Sequence, residues 1–247
     1  MATNLAIAFF ESGIKIESIF SRKKQNAEEL AKKVNAVSVD KICELKKTSD
    51  LYILAIPDDA LDIVINDLNK CFGKKINCVH TSGSVSIDVF RDYFDNFGSL
   101  YFLQTFKKNN LIDFSKIPCL INTDSGTFRE SLFELAGKIT EVADFMDDEH
   151  RKILHIAAVF ANNFVNHLFS ISKNLTIENG VKFDYLFPLI KETVEKIIEG
   201  EDPDLMQTGP AVRNDEKVIA EHLSYLKKYP DFRKIYRILT EDIIAKS

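Results

Sequence analysis

The apolar periodicity of this 247-residue chain changes near residue 147. Before that point short β-rich runs alternate with amphipathic helical segments, and after it only helical periodicity remains. Alternating strands and helices build parallel β-α-β units with helices on both faces of a sheet. The pattern therefore predicts an α/β region over 1–146 and an all-α region over 147–247.

In the first half, residues 2–12 read as a helix stopped at Gly13, and 14–21 as a strand. A helix follows over 27–34, then a short Val-Ser-Val strand at 37–39. The continuous apolar run 51–57, ended by Pro57, has the pattern of a strand buried on both faces. Residues 58–71 form an amphipathic helix opened by acids. Residues 76–84 read as a strand entering a turn and 86–94 as another helix. SLYFLQTF, IPCLINT and TEVADF supply later strands, with FRESLFELAGKI as a helix before the last. In the second half a long helix is expected from Asp147 or Asp148 to about Glu178, ended by Gly180. A second starts near Pro188, and two more occupy 215–229 and 230–247.

Lys and Arg number 32 against 37 Asp and Glu, and the charges are interspersed, so there is no basic field for nucleic-acid phosphates. Every apolar run breaks before the roughly 20 residues a membrane helix needs. The N-terminus has no basic leader or clear cleavage site, so no signal peptide is read. Cys43, Cys71, Cys78 and Cys119 form no CxxC pair and none has a histidine at metal-finger spacing. The expectation is a cytoplasmic chain with reduced, structural thiols and no metal site. Nine glycines never approach one another closer than Gly200 and Gly209, so a P-loop and a complete dinucleotide fingerprint are absent.

Open α/β sheets bind ligands at the carboxyl ends of their strands. That rule nominates Ser21-Arg22-Lys23-Lys24, Ile56-Pro57-Asp58-Asp59, His80-Thr81-Ser82-Gly83-Ser84 and Gln104-Thr105-Phe106. The first stretch offers cations and no acid, the composition that receives a ribose 2′-phosphate; a solvated turn is the alternative reading. His80 could exchange protons near neutral pH or be a hydrogen-bonded core histidine. On the long helix His155, Asn162 and Asn166 fall nearly in line, with Asn163 one step round, among apolar neighbours. Such polar groups either line a cleft or bond between helices, because unpaired burial costs about 1–3 kcal/mol each. The polar loop 207–215 carries Thr208 and Arg213, the latter able to clamp an anion. No Ser-His-Asp arrangement is visible.

AIPDDAL, VHTSGS, LYFLQTF, ILHIAAVFANNFVNHLF, LFPLIKETVEKI and QTGPAVRND, in that order, resemble a family of proteins described as NADP oxidoreductases. Its members join a Rossmann-like domain to a C-terminal helical domain of unknown function. They are distant relatives of pyrroline-5-carboxylate reductase within the 6-phosphogluconate dehydrogenase-like superfamily. The resemblance implies NADP as cofactor, a small-molecule substrate, hydride transfer, and a homodimer formed through the helical domain. It assigns Ser21 and Arg22 to the 2′-phosphate, and Ile56, Pro57 and Asp58 to the path beneath the cofactor. Ser82 and Gly83 fall near the nicotinamide, and Gln104 near the substrate. His155 or His80 would donate the proton, with Asn162, Asn163, Thr208 and Arg213 facing the ligand. A non-catalytic dinucleotide sensor or dimeric interaction protein, or a form that has lost the cofactor, is the alternative.

The sequence departs from that family at its start. Relatives open with a strand and a glycine-rich turn; here Met1 falls inside the turn, leaving Ala2 and Thr3 at the phosphate position. The domain is accordingly read as shortened. Strands sit about 4.8 Å apart, so the expectation is a gap about two spacings wide between 14–19 and 51–56.

Overall fold

A computed structural model describes residues 1–107 and 110–246. Ser247, read from sequence as the end of the last helix, lies outside the described residues. The chain divides into two compact units, Met1–Ala161 and Asn162–Ser247.

The first unit opens with α1 (Ala2–Glu11), whose Leu5 and Phe9, one turn apart, enter one core while Ile7 enters another. Gly13 follows at φ +89°, a left-handed conformation that suits glycine at a helix end. β1 (Ser18–Phe20), α2 (Lys24–Lys33) and β2 (Val37–Val39) form a β-α-β unit with parallel strands. β3 (Tyr52–Leu54), α3 (Leu61–Phe72), β4 (Asn77–His80), β5 (Asn96–Phe102), β6 (Cys119–Thr123), α4 (Gly126–Ala136) and β7 (Ala143–Phe145) complete the α/β layers. The second sheet runs β3-β4-β5-β6-β7. Its register sets Leu54 beside His80 and His80 beside Ser99, aligning the carboxyl ends of β3, β4 and β5.

The two sheets are not hydrogen-bonded to each other, and the break falls between β1 and β3, where the sequence places a gap. Apolar packing spans that break. Ile16 and Ile53 join the cluster of Leu5, Phe9, Val79, Leu100 and Ile121, while Phe20 joins that of Leu54, Leu61, Ile65, Cys78 and Phe90. Cys78 and Val79, successive residues of one strand, serve opposite faces, as a two-residue period demands.

Several sequence expectations change. β6 runs antiparallel to β5, because the described part of their connection holds no crossover helix. The helix read over 86–94 is a four-residue 3-10 turn, Ile87–Phe90, with the Ser86 hydroxyl accepting from the Asp88 amide. Cys43 and Cys71 form a disulfide with Cα atoms 5.1 Å apart, whereas reduced thiols were expected throughout; Cys78 and Cys119 are free and buried. The bridge fastens the turn after β2 to the last turn of α3.

The first unit ends in α5 (Asp148–Ala158), capped by Asp147, whose carboxylate accepts from the His150 amide at 2.9 Å. The expected continuous helix is interrupted by a π-helical stretch, Val159–Phe164. In the second unit α6 (Val165–Glu178) ends before Gly180 at φ +71°. α7 (Phe187–Ile198) carries Pro188 in its first turn, where the missing N–H is no loss. α8 (Glu216–Tyr225), capped by Asp215, and α9 (Pro230–Lys246) follow. Among the described residues of this unit only Ala211, Leu226 and Thr240 are buried. No described helix is long and apolar enough to cross a membrane.

Candidate active site

The turns leaving β3 and β4 are tied together at the carboxyl end of the sheet. The Ser84 hydroxyl donates to Asp58 at 2.7 Å, and the Ser82 hydroxyl accepts from the amides of Ser84 and Val85, both at 3.1 Å. Gly83 is buried between these serines, while Pro57 and Asp58 are exposed on the other turn.

Gly83 is the point on which three elements converge. A Cβ there would lie 2.7 Å from Nδ1 of His155 and 2.8 Å from the Tyr101 ring, so no side chain fits without displacing that pair. Tyr101, near the end of β5, meets His155 of α5 through a 3.0 Å hydrogen bond between its hydroxyl and Nδ1. The rings meet edge to face at 5.8 Å. Burial raises the Tyr101 pKa, opposed by the nearby Arg151 charge, so the phenol stays protonated at neutral pH. The structure thus brings together two sequence candidates, Gly83 and His155, with a third residue the sequence reading did not name.

His80 matches the core-histidine alternative. It is wholly buried, stacks on Phe90, and its Nδ1 accepts from the Ser82 amide at 3.2 Å. Burial and the Arg151 charge pull its pKa down to about 4, with Asp148, the Ser86 backbone and Asp58 only partly opposing. The ring is neutral at pH 7, with its proton on Nε2, which has no hydrogen-bond partner among the described residues. In this environment the ring holds the Ser82 amide and hence the turn.

Beneath the site lies a buried arginine. Arg151, 1 % exposed, donates to the Ser99 hydroxyl and the Val85 carbonyl and pairs with Asp148 at 2.8 Å. Asp148 also accepts from the Ile87 amide at 2.8 Å and the Asn122 amide group at 2.6 Å. Burial works against its ionised form, yet these bonds, one from Ser86 and the Arg151 charge hold its pKa below the usual range. The network locks the first turn of α5, and so His155, to the sheet and to the turn after β4.

Of the other candidates, Ala2 and Thr3 open α1, which has no side-chain cap. Its first N–H groups therefore remain available to an anion. Ser21 accepts from the Lys23 amide at 3.4 Å, and Arg22 is exposed without an ion pair among the described residues. Lys24 is paired with Asp40 at 2.8 Å. Ile56 is half-buried and packs in the core beside Leu61. Gln104 is exposed and its side chain accepts from the Thr105 amide. Asn162, Asn163, Thr208 and Arg213 belong to the second unit and are exposed. Asn162 and Asn163 fall within the π-helical stretch, so the regular α-helical spacing assumed from sequence does not hold there. No group of three or more potential metal ligands exists among the described residues.

Comparison with known proteins agrees with the fold. Residues 117–243 match the family model described as a domain of unknown function, DUF2520. The crystal structure of putative NADP oxidoreductase BF3122 from Bacteroides fragilis is 34% identical. The match covers 99% of this chain and 94% of that one, with a TM-score of 0.91. Protein TM1727 from Thermotoga maritima is 25% identical over 96% of each chain, with a TM-score of 0.74. An imine reductase from Myxococcus stipitatus, in complex with NADP+, shares the fold at 16% identity over 99% of this chain and 89% of that one, with a TM-score of 0.67. No curated protein matches. With half of its length under that family model and a full-length relative at 34% identity, the chain has a Rossmann-like fold and belongs to the DUF2520 family.

Proposed function

We propose that the protein is an NADPH-dependent oxidoreductase that reduces a small compound bearing a C=O or C=N bond. The observation that carries this reading is the His155–Tyr101 pair, a hydrogen-bond donor system at the end of the sheet where α/β folds hold their ligands. BF3122 is described as a putative NADP oxidoreductase, and the imine reductase structure holds NADP+, which supports the cofactor.

The residues fit a 2′-phosphorylated dinucleotide. Arg22 is a cation without an ion pair among the described residues, beside Ser21 after β1, and Asp40, the carboxylate following β2, is engaged by Lys24. Arg22 and Ser21 would hold the 2′-phosphate, and the uncapped first turn of α1 at Ala2 and Thr3 would meet the pyrophosphate. Ile56, Pro57 and Asp58 would form the floor, with Ser82 and Gly83 at the redox end. When bound, the nicotinamide supplies the hydride. The chain's own part is orientation and charge: the Asp58–Ser84 bond fixes the two turns together, and His155 donates to the heteroatom on which charge collects. The second unit we assign to self-association into a homodimer, because its helices α6, α7 and α8 bury no residue of their own. The same reading sets the protein in the cytoplasm, where the Cys43–Cys71 bridge faces reductants.

NADPH titration followed by thermal unfolding is the direct test. Ligand at 100-fold over its dissociation constant adds about 2.7 kcal/mol of stability. Absence of any shift at millimolar NADPH rejects the proposal. Arg22→Ala is expected to weaken NADPH at least about tenfold more than NADH, and equal losses would remove the 2′-phosphate assignment.

A further inference from the structure

Tyr101 lies in an apolar strand run, is 8% exposed, and sends its hydroxyl to a histidine 54 residues away. A buried phenol must place its O–H on an acceptor or lose about 1–3 kcal/mol. Nδ1 of His155 is the partner that the structure gives it. An imidazole nitrogen that accepts this proton is the unprotonated one, so in the neutral ring the hydrogen resides on Nε2. The same edge of the ring is pressed against Gly83, where even a methyl group would come within 2.7 Å of Nδ1. Nδ1 is therefore enclosed by Tyr101 and the turn after β4. Nε2 has no hydrogen-bond partner among the described residues, and the side chain is half-exposed.

From this geometry we infer that Nε2–H of His155 is the group that hydrogen-bonds to the substrate's carbonyl oxygen or imine nitrogen and stabilises the charge that hydride addition leaves there, the completing proton being taken from solvent water, and that Tyr101 is the positioning residue that fixes the His155 tautomer and orientation. The inference rests on the proposed reductase reading for the identity of the acceptor, but the tautomer stands on the Tyr101–His155–Gly83 contacts alone. A preset donor costs no reorganisation as charge develops on the heteroatom, which is where hydrogen bonds accelerate reactions most. It also selects the ligand. The acceptor must carry a lone pair in the plane of a C=O or C=N bond, and a cation already bearing its proton there would find a donor facing a donor.

The test is long-range 15N–1H correlation on protein labelled with 15N-histidine, with His155→Gln assigning one signal among the five histidines. At pH 8 the wild type is expected to show His155 with Nδ1 unprotonated and Nε2 protonated. In Tyr101→Phe, which keeps the ring and its packing, the two nitrogen shifts should move toward each other as the tautomers mix. Gly83→Ala should produce the same collapse with Tyr101 still present, by displacing the ring. Circular dichroism on both variants verifies folding. A wild-type ring protonated on Nδ1, or a wild-type pattern unchanged in folded Tyr101→Phe, overturns the inference. NADPH titration of the same samples separates the two claims. A wild type that binds no NADPH defeats the reductase reading and leaves the tautomer result to decide Tyr101. With NADPH bound, Tyr101→Phe should retain affinity within about twofold and lower kcat about tenfold toward whichever ketone or cyclic imine probe the wild type reduces. A loss confined to KM overturns the positioning role.

Discussion

His80 and Arg151 are adjacent in effect though far apart in sequence: each is fully buried, and the charge of one helps keep the other neutral. The pH dependence follows with a definite sign. Burial lowers the folded pKa of His80 to about 4, while an unfolded histidine titrates near 6.5. Between these values the unfolded state binds more protons, so stability rises with pH through that window and is lost as pH falls through it. The shift corresponds to about 3 kcal/mol at full development. His150, paired with Asp147 on the surface, has its pKa raised and contributes in the opposite direction, which makes a comparison between variants better than an absolute slope. Denaturant unfolding at pH 4.5 and pH 7 is expected to show a smaller difference in His80→Asn than in the wild type; identical differences would contradict the assignment. At this scale the sequence was half legible. His155 announced itself as an imidazole on an apolar helix, and Gly83 as a turn glycine after a strand. Tyr101 did not, because a tyrosine in a strand of leucine and phenylalanine reads as core until α5 brings an acceptor to it. Arg151 was equally silent, since a cation in an Asp-Asp-Glu-His-Arg-Lys run has the pattern of a solvated helix start.

The strands and helices of the first unit follow their hydrophobic periods closely, and the departures have local causes. Residues 86–94 have helical spacing, but Phe90 and Phe94 both enter the core beside Phe97, and only one 3-10 turn fits before β5 begins at Asn96. The antiparallel β6 depends on what joins it to β5, which no strand pattern encodes. The Cys43–Cys71 bridge is similarly invisible, because its partners are 28 residues apart and meet only when the turn after β2 folds onto α3. Its position gives it leverage: it is a covalent tie between the β1–β2 pair and the layer of α3, two parts of the fold that no strand ladder connects. Closing a loop of that length restricts the unfolded chain by about 3–4 kcal/mol. Reduction, or Cys43→Ser, is therefore expected to lower unfolding free energy by that amount, with mass spectrometry of unreduced, alkylated protein showing two free thiols rather than four. Four alkylated thiols in the native protein would remove the bridge and the prediction together.

Taken as a whole molecule, the two units differ in how they bury apolar surface. The first has clusters on both faces of its sheets, whereas the second leaves its helices with almost none: α7 exposes Phe187, Val194 and Ile198, seven and four residues apart and so on one face. In the homodimer we propose, a second copy covers that stripe, because a two-fold axis sets the same stripe against itself and makes one apolar face self-complementary. The change from a mixed to an all-helical period near residue 147 was readable in the sequence, whereas the compact units divide at Ala161 and Asn162, and the exposure was not readable, since an amphipathic helix looks the same whether its apolar face meets its own chain or another. Light scattering is expected to give a mass of about 56 kDa, twice the 28.1 kDa chain. The double substitution Val194→Glu and Ile198→Glu opposes four carboxylates across such an axis and should give a monomer that retains helical circular dichroism. A wild type that remains monomeric at tens of micromolar, or a folded double variant that still dimerises, would show that the α7 stripe is not where two copies meet.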